Sequence, residues 1–248
     1  MKEIMIKLLE VQQIYLDSDT MNFREFEELI NNGLREISLT EDVILEDLEK
    51  KDYLEGIEIN ADNIIINGNC HTIDGNKKTP LLNVNASNIT LKNFRFENGY
   101  SEYSGGAIIN NGILIIESCE FQDNTSDDYG GAIYNSSKLH IKDSKFIENR
   151  ADYGGAIYLD SDSILNLDGS LFKSNSSEFE GGAIYNKSKL LIYRSLFNKN
   201  ASFKGGAIYN ERILNVKCSE FRNNIASDGN HIESKDNENL SIADCRFD

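Results

Sequence analysis

The sequence has one proline, no tryptophan, three histidines and four cysteines in 248 residues. Four cysteines are too few for a disulfide scaffold. Cys119 and Cys218 stand far apart in the repeat described below, and Cys218 and Cys245 fall one position out of phase, so free thiols are expected. His71, His140 and His231 have no partner at ligand spacing, so no metal site and no cofactor are expected. No run of 18 apolar residues occurs, so the sequence carries no candidate membrane-spanning helix. Positive charge is also scarce. The chain has 25 basic against 41 acidic residues, a net charge of −16. That excess repels phosphate, which excludes a nucleic-acid partner and disfavours anionic membrane surfaces. No P-loop, dinucleotide fingerprint or Ser-His-Asp order stands out.

What is abundant is asparagine, at 30 residues, and a repeat. The run GGAI begins at Gly105, Gly130, Gly154, Gly181 and Gly205, at spacings of 25, 24, 27 and 24. A degraded copy follows at Gly229-Asn230-His231-Ile232. A second motif, Phe-x-x-Asn, lies between the copies at Phe121/Asn124, Phe146/Asn149, Phe172/Asn175, Phe197/Asn200 and Phe221/Asn224. Phe96 and Phe247 extend the series, with Asn98 one place early. A third motif is the apolar pair Leu114/Ile116, Leu139/Ile141, Leu165/Leu167, Leu190/Ile192 and Leu214/Val216.

Each repeat thus carries three apolar segments of strand length, separated by Gly, Asn, Ser and Asp. Three strands in ~24 residues leave no room for a crossover helix or a propeller blade. The economical solution is an all-β fold, a right-handed single-stranded parallel β-helix with one coil per repeat. Weaker motifs carry the phase back to Val43–Leu45, giving about eight turns and a rod ~40 Å long.

Equivalent residues should then stack. Ile108, Ile133, Ile157, Ile184, Ile208 and Ile232 form one buried column, the Leu/Ile pairs a second wall, and the phenylalanines a third. Cys119, Ser144, Ser170, Ser195, Ser219 and Cys245 precede each ring by two, consistent with a narrow interior beside it. Asn110, Asn135, Asn186 and Asn210 end the first strand and can bond one another along the axis. The glycine pair lets the chain turn with positive φ. Residues 20–33 read as an N-terminal capping helix with Asn22 and Glu25 in a capping box, Thr20 as a rival start, and Gly33 as the stop. Domain limits are therefore set at 1–36 for the N-terminal segment with its helix and 37–248 for the β-helix. No cap of that kind is seen at the C-terminus, where either the polar loop Ser234 to Asn239 protects the end or end-to-end stacking on a partner covers it.

GGAI with FxxN resembles the repeats of chlamydial polymorphic outer-membrane proteins and, more closely, the adhesin-like β-helix proteins of methanogenic archaea. EGIEINADNIIINGNCHTIDG at 55–75 looks like their entry segment, and NITLKNFRFENG at 88–99 like the turn that follows. Cys70 stands where that family usually has glycine. The resemblance implies a non-catalytic adhesin at the cell surface, meeting a glycan or a protein of a host or neighbouring cell. MKEIMIKLLEVQQ at 1–13 does not read as a signal peptide, which makes cytoplasmic residence the alternative.

The turn before GGAI holds the candidate site. Asp127, Asp128, Asp152 and Glu178 recur there as an acidic column beside Arg150. Tyr103, Tyr129, Tyr153, Phe179 and Phe203 recur as an aromatic one. Rings beside carboxylates can stack on sugar faces and bond their hydroxyls. Stacking that merely stiffens the turn is the competing reading. A carbohydrate-active enzyme of lyase or glycosidase type is the alternative function, since acids one coil apart lie within working distance. No residue is assigned as catalytic. A further ladder, Tyr134, Tyr158, Tyr185 and Tyr209, should point outward and be exposed by strand alternation. Eight N-x-S/T sequons include Asn85, Asn88, Asn124, Asn175 and Asn200. On an exported chain some would be open to glycosylation.

Overall fold

The computed structural model describes residues 20–228, 231–235 and 237–248. The segment read for a signal peptide and the Gly229-Asn230 of the degraded glycine copy lie outside the described residues. Among the described residues the chain forms a right-handed parallel β-helix of about nine turns, against the eight expected. The first face carries the strands after GGAI, such as Ile133–Asn135 and Ile157–Leu159. The second carries the Leu/Ile pairs, as in Lys138–Lys142, and the third the phenylalanines, as in Lys145–Ile147. These faces hold eight, nine and ten parallel strands.

Register follows the sequence columns. Ile133 pairs with Ile157, Leu139 with Leu165 and Phe146 with Phe172. The isoleucines from Ile108 to Ile208 are fully buried, each contributing about 1.5–3 kcal/mol by leaving water. The phenylalanine rings stack 4.7–4.9 Å apart from Phe96 to Phe247, with neighbouring planes from Phe121 onward within 8° of parallel. That separation is the strand spacing itself, so the backbone sets the ring stack.

The buried asparagines hold the coils together. Asn175 Nδ2 donates to Asn200 Oδ1 and to the Phe146 carbonyl, each at 2.9 Å. Its Oδ1 accepts from the backbone N–H of Asn149 at 3.0 Å and from Asn149 Nδ2 at 2.9 Å. The pattern repeats from Asn124 to Asn224. It explains the misplaced Asn98, which takes the left-handed corner at φ +53, while Gly99 occupies the ladder position and donates its N–H to Asn124 Oδ1.

The serines two before each phenylalanine do more than fit a narrow space. Ser144 Oγ donates to the Lys142 carbonyl and accepts the N–H of Cys119, the equivalent residue one coil back. The two glycines also divide their roles. Gly130 turns at φ +64. Gly131 is not at positive φ, but a Cβ there would strike the Gly155 carbonyl oxygen of the next coil.

Helix α1 (Phe23–Ile30) covers the first coil with Phe23, Phe26 and Ile30 buried. Both arms of the Asn22–Glu25 capping box form, and the buried Glu49 carboxylate accepts the N–H groups of Phe23 and Arg24. Strands flank the helix on both sides. Thr20–Met21 joins the third face and Glu36–Ser38 the second. At the far end Phe247 stacks on Phe221 but stays 46% exposed. All four cysteines are free.

Two outcomes follow. Asn175→Ala strips partners from the Phe146 carbonyl and the Asn149 amide, and should cost roughly 2–5 kcal/mol in denaturant unfolding. Cys70 sits at φ +70, in the region that favours glycine, so Cys70→Gly should stabilise by about 1 kcal/mol in the same measurement.

Candidate functional site

After each ladder asparagine the chain leaves the third face and runs along a short fourth strand before the glycine pair. These strands, among them Thr125–Ser126, Arg150–Tyr153 and Ser176–Glu180, form a six-stranded parallel sheet at one corner of the rod. Three apolar segments per repeat had not announced it, because its residues are polar. The 27-residue repeat makes the register irregular here, with Ala151 opposite Ser177 and Tyr153 opposite Glu180.

This corner brings the acidic column together. Asp152 lies beside Glu178, Asp128 and Asp127. Partial burial raises its carboxyl above the usual range, and those three carboxylates raise it further, while Arg150 opposes them. Asp127 also accepts a 2.8 Å hydrogen bond from the Tyr100 hydroxyl, which pushes Tyr100 up to about 12. Thr125, Asp127, Asp128, Arg150 and Asp152 line an open hollow of about 510 Å³. Arg150 forms no ion pair within 4.0 Å among the described residues.

The aromatic column is in place but uneven. Tyr129 and Tyr153 stack at 5.7 Å, and Tyr153 meets Phe179 at 5.2 Å. Tyr103 and Phe203, 68% and 50% exposed, stand clear of these rings.

The tyrosine ladder after the isoleucines is not exposed as strand alternation suggested. Tyr158 is 3% exposed, Tyr185 and Tyr209 are buried, and Tyr134 is half-buried. They do point out of the coil, but the corner folds over them. Tyr129 lies 4.7 Å from Tyr158, and Tyr153 meets Tyr185 edge-on at 5.7 Å. Burial, with a 2.8 Å hydrogen bond to Glu211, drives the Tyr185 hydroxyl far above its ordinary range. Tyr129 and Tyr153 therefore belong partly to a second, outer aromatic core. Alternation gives a side chain's direction and says nothing of chain that later covers it.

Burial also sorts the sequons. Asn124, Asn135, Asn175, Asn186 and Asn200 are fully buried in ladders, whereas Asn85 and Asn88 are exposed. Among the described residues no three His, Cys, Asp or Glu side chains are grouped to hold a metal ion.

A family model described as "right handed beta helix region" matches residues 40–197. Neither the curated proteins nor the solved structures yield a match.

The raised Asp152 carboxyl carries a stability consequence. A group protonated more readily folded than unfolded destabilises the fold once it ionises. The cost is present above its folded pKa and vanishes as pH falls below the unfolded value near 3.9. Asp152→Asn should raise Tm at pH 7 by about 1–4 °C, and thermal melts near pH ~3 should show no gain.

Proposed function

Because the chain belongs to the right-handed β-helix family, we propose that it is a non-catalytic, adhesin-like rod that works at a cell surface and binds through its acidic-aromatic corner. One observation carries the reading: rings recur on five successive coils along one edge of a stiff scaffold, all but Tyr153 exposed, with carboxylates beside the middle three. A repeated stripe suits an extended ligand, met over several coils with modest contacts at each. Rings offer flat apolar faces, and neighbouring acids accept hydrogen bonds from hydroxyls or amides. A glycan, or an extended protein segment of a neighbouring cell, has that form.

A reacting centre asks for something different: one acid and one base singled out by environment. Asp152 is distinguished by its raised carboxyl, so an acid-dependent glycan cleavage is the second reading. Net charge of −16 weighs against acidic glycans as its substrates.

Variants can separate binding from packing. Tyr129 and Tyr153 cover the outer core, so their loss confounds the two. Tyr103→Ala and Phe203→Ala touch the stripe alone. In a glycan-array and cell-binding screen with the intact chain, the double variant should lose roughly tenfold or more in affinity. Its Tm should move by less than about 3 °C. Undiminished binding would reject the stripe as the contact surface, and cleavage of an arrayed glycan would favour the enzymatic reading.

A further inference from the structure

The tyrosine ladder of the first face carries chemistry that neither the corner stripe nor the packing uses. Six of the chain's 11 tyrosines, Tyr129, Tyr134, Tyr153, Tyr158, Tyr185 and Tyr209, form one connected set of rings with centroids 4.7–5.7 Å apart at each contact. Tyr158, Tyr185 and Tyr209 are buried, and Tyr129 is exposed at the corner. The set therefore runs from solvent into the outer core. Two of its hydroxyls end on carboxylates. Tyr134 Oη donates to Asp160 Oδ2 at 2.6 Å, and Tyr185 Oη donates to Glu211 Oε1 at 2.8 Å. Burial and these bonds hold both hydroxyls above the ordinary phenol range, so each keeps its proton at neutral pH. Tyr53 and Tyr100 also donate to carboxylates, but neither ring lies against another tyrosine among the described residues.

A phenol that loses one electron becomes a radical cation, which is a strong acid. A carboxylate already hydrogen-bonded to it takes the proton and leaves a neutral phenoxyl radical. Rings in contact pass the electron vacancy among themselves, so it settles where proton loss is easiest. Lys187 and Lys235 stand 5.5 Å over the Tyr158 and Tyr209 rings, and their charge disfavours a positive ring there. Among the described residues Asp160 meets no cation within 4.0 Å, whereas Lys235 pairs with Glu211, so Asp160 is the stronger base of the two. We propose that the tyrosine cluster is a one-electron relay, which takes an oxidising equivalent from an oxygen-centred radical at the corner and stores it on Tyr134 and Tyr185. The oxidant gains one electron, draws a proton from solvent and becomes a closed-shell product. Tyr129 gives up that electron and regains one from Tyr158, 4.7 Å behind it. Tyr158 is refilled in turn by Tyr134 at 5.7 Å or Tyr185 at 5.0 Å. The phenolic proton of the last donor then moves along its hydrogen bond to Asp160 or Glu211. No part of this depends on the corner binding a ligand.

Flash oxidation of the full chain tests it, with a photo-excited ruthenium polypyridyl complex and an electron-accepting quencher. Transient absorption and electron paramagnetic resonance read the radical. The wild type should give a long-lived neutral phenoxyl signal whose formation slows in heavy water. Tyr134→Phe with Tyr185→Phe keeps both rings and should lose that long-lived signal. Asp160→Asn with Glu211→Gln keeps every tyrosine, removes the proton acceptors and should lose it too, which serves if the first pair fails to fold. Tyr193→Phe alters an exposed ring outside the cluster and should change nothing. Tyr129→Phe with Tyr153→Phe should lower the yield of the signal, and an undiminished yield overturns the corner as the point of entry. A long-lived signal that survives either of the first two double variants in folded protein, or that Tyr193→Phe abolishes, overturns the proposal.

Discussion

The axial rise of a parallel sheet, about 4.8 Å per strand, governs the other dimensions of this molecule. Backbone hydrogen bonds between coils fix the rise, and each side chain then meets its equivalent above and below at that distance. Phenylalanine suits the interval because its rings can stack at it. Asparagine suits it because one amide can donate and accept along a column while also satisfying a backbone carbonyl at the bend. Glycine is required where two backbones approach with no room for a Cβ, as at Gly131 and Gly155. The repeat is therefore chemical bookkeeping for a single length.

Features that depend on this length were legible from the sequence. The isoleucine, leucine and phenylalanine columns and their register follow from residues recurring in phase, and the capping helix from its own Asn22–Glu25 box. The rest depends on the path of the chain between columns. Tyr158 and Tyr185 are buried by a corner whose course no periodicity describes. Ser144 looks small in sequence, and only coordinates reveal that its hydroxyl joins two coils. Outward positions on the second face need not match from coil to coil, so Ile113, Lys138 and Ile164 carry no repeat signature.

For the candidate site, the sequence identified which residues share the corner but not how they differ. Asp152 is set apart from its acidic neighbours by its raised carboxyl, and Tyr129 and Tyr153 from Tyr103 and Phe203 by the rings beneath them. Crowding like charges there works against folding, while the ladders on the other side of each coil work for it. The rod can carry a strained edge because its cohesion lies elsewhere.

The buried asparagines have one more property. From Asn124 to Asn200 every side-chain amide donates toward the coil that follows it, and Asn110 and Asn186 do the same on the first face. From Asn124 to Asn200 the other N–H of each amide turns back to a phenylalanine carbonyl of the coil before, so every link of the column holds both its neighbours. The column therefore runs one way along the rod and its two extremities are chemically unlike: at Asn124 the amide oxygen is met by the backbone N–H of Gly99, and at Asn224 the amide nitrogen meets the His231 ring.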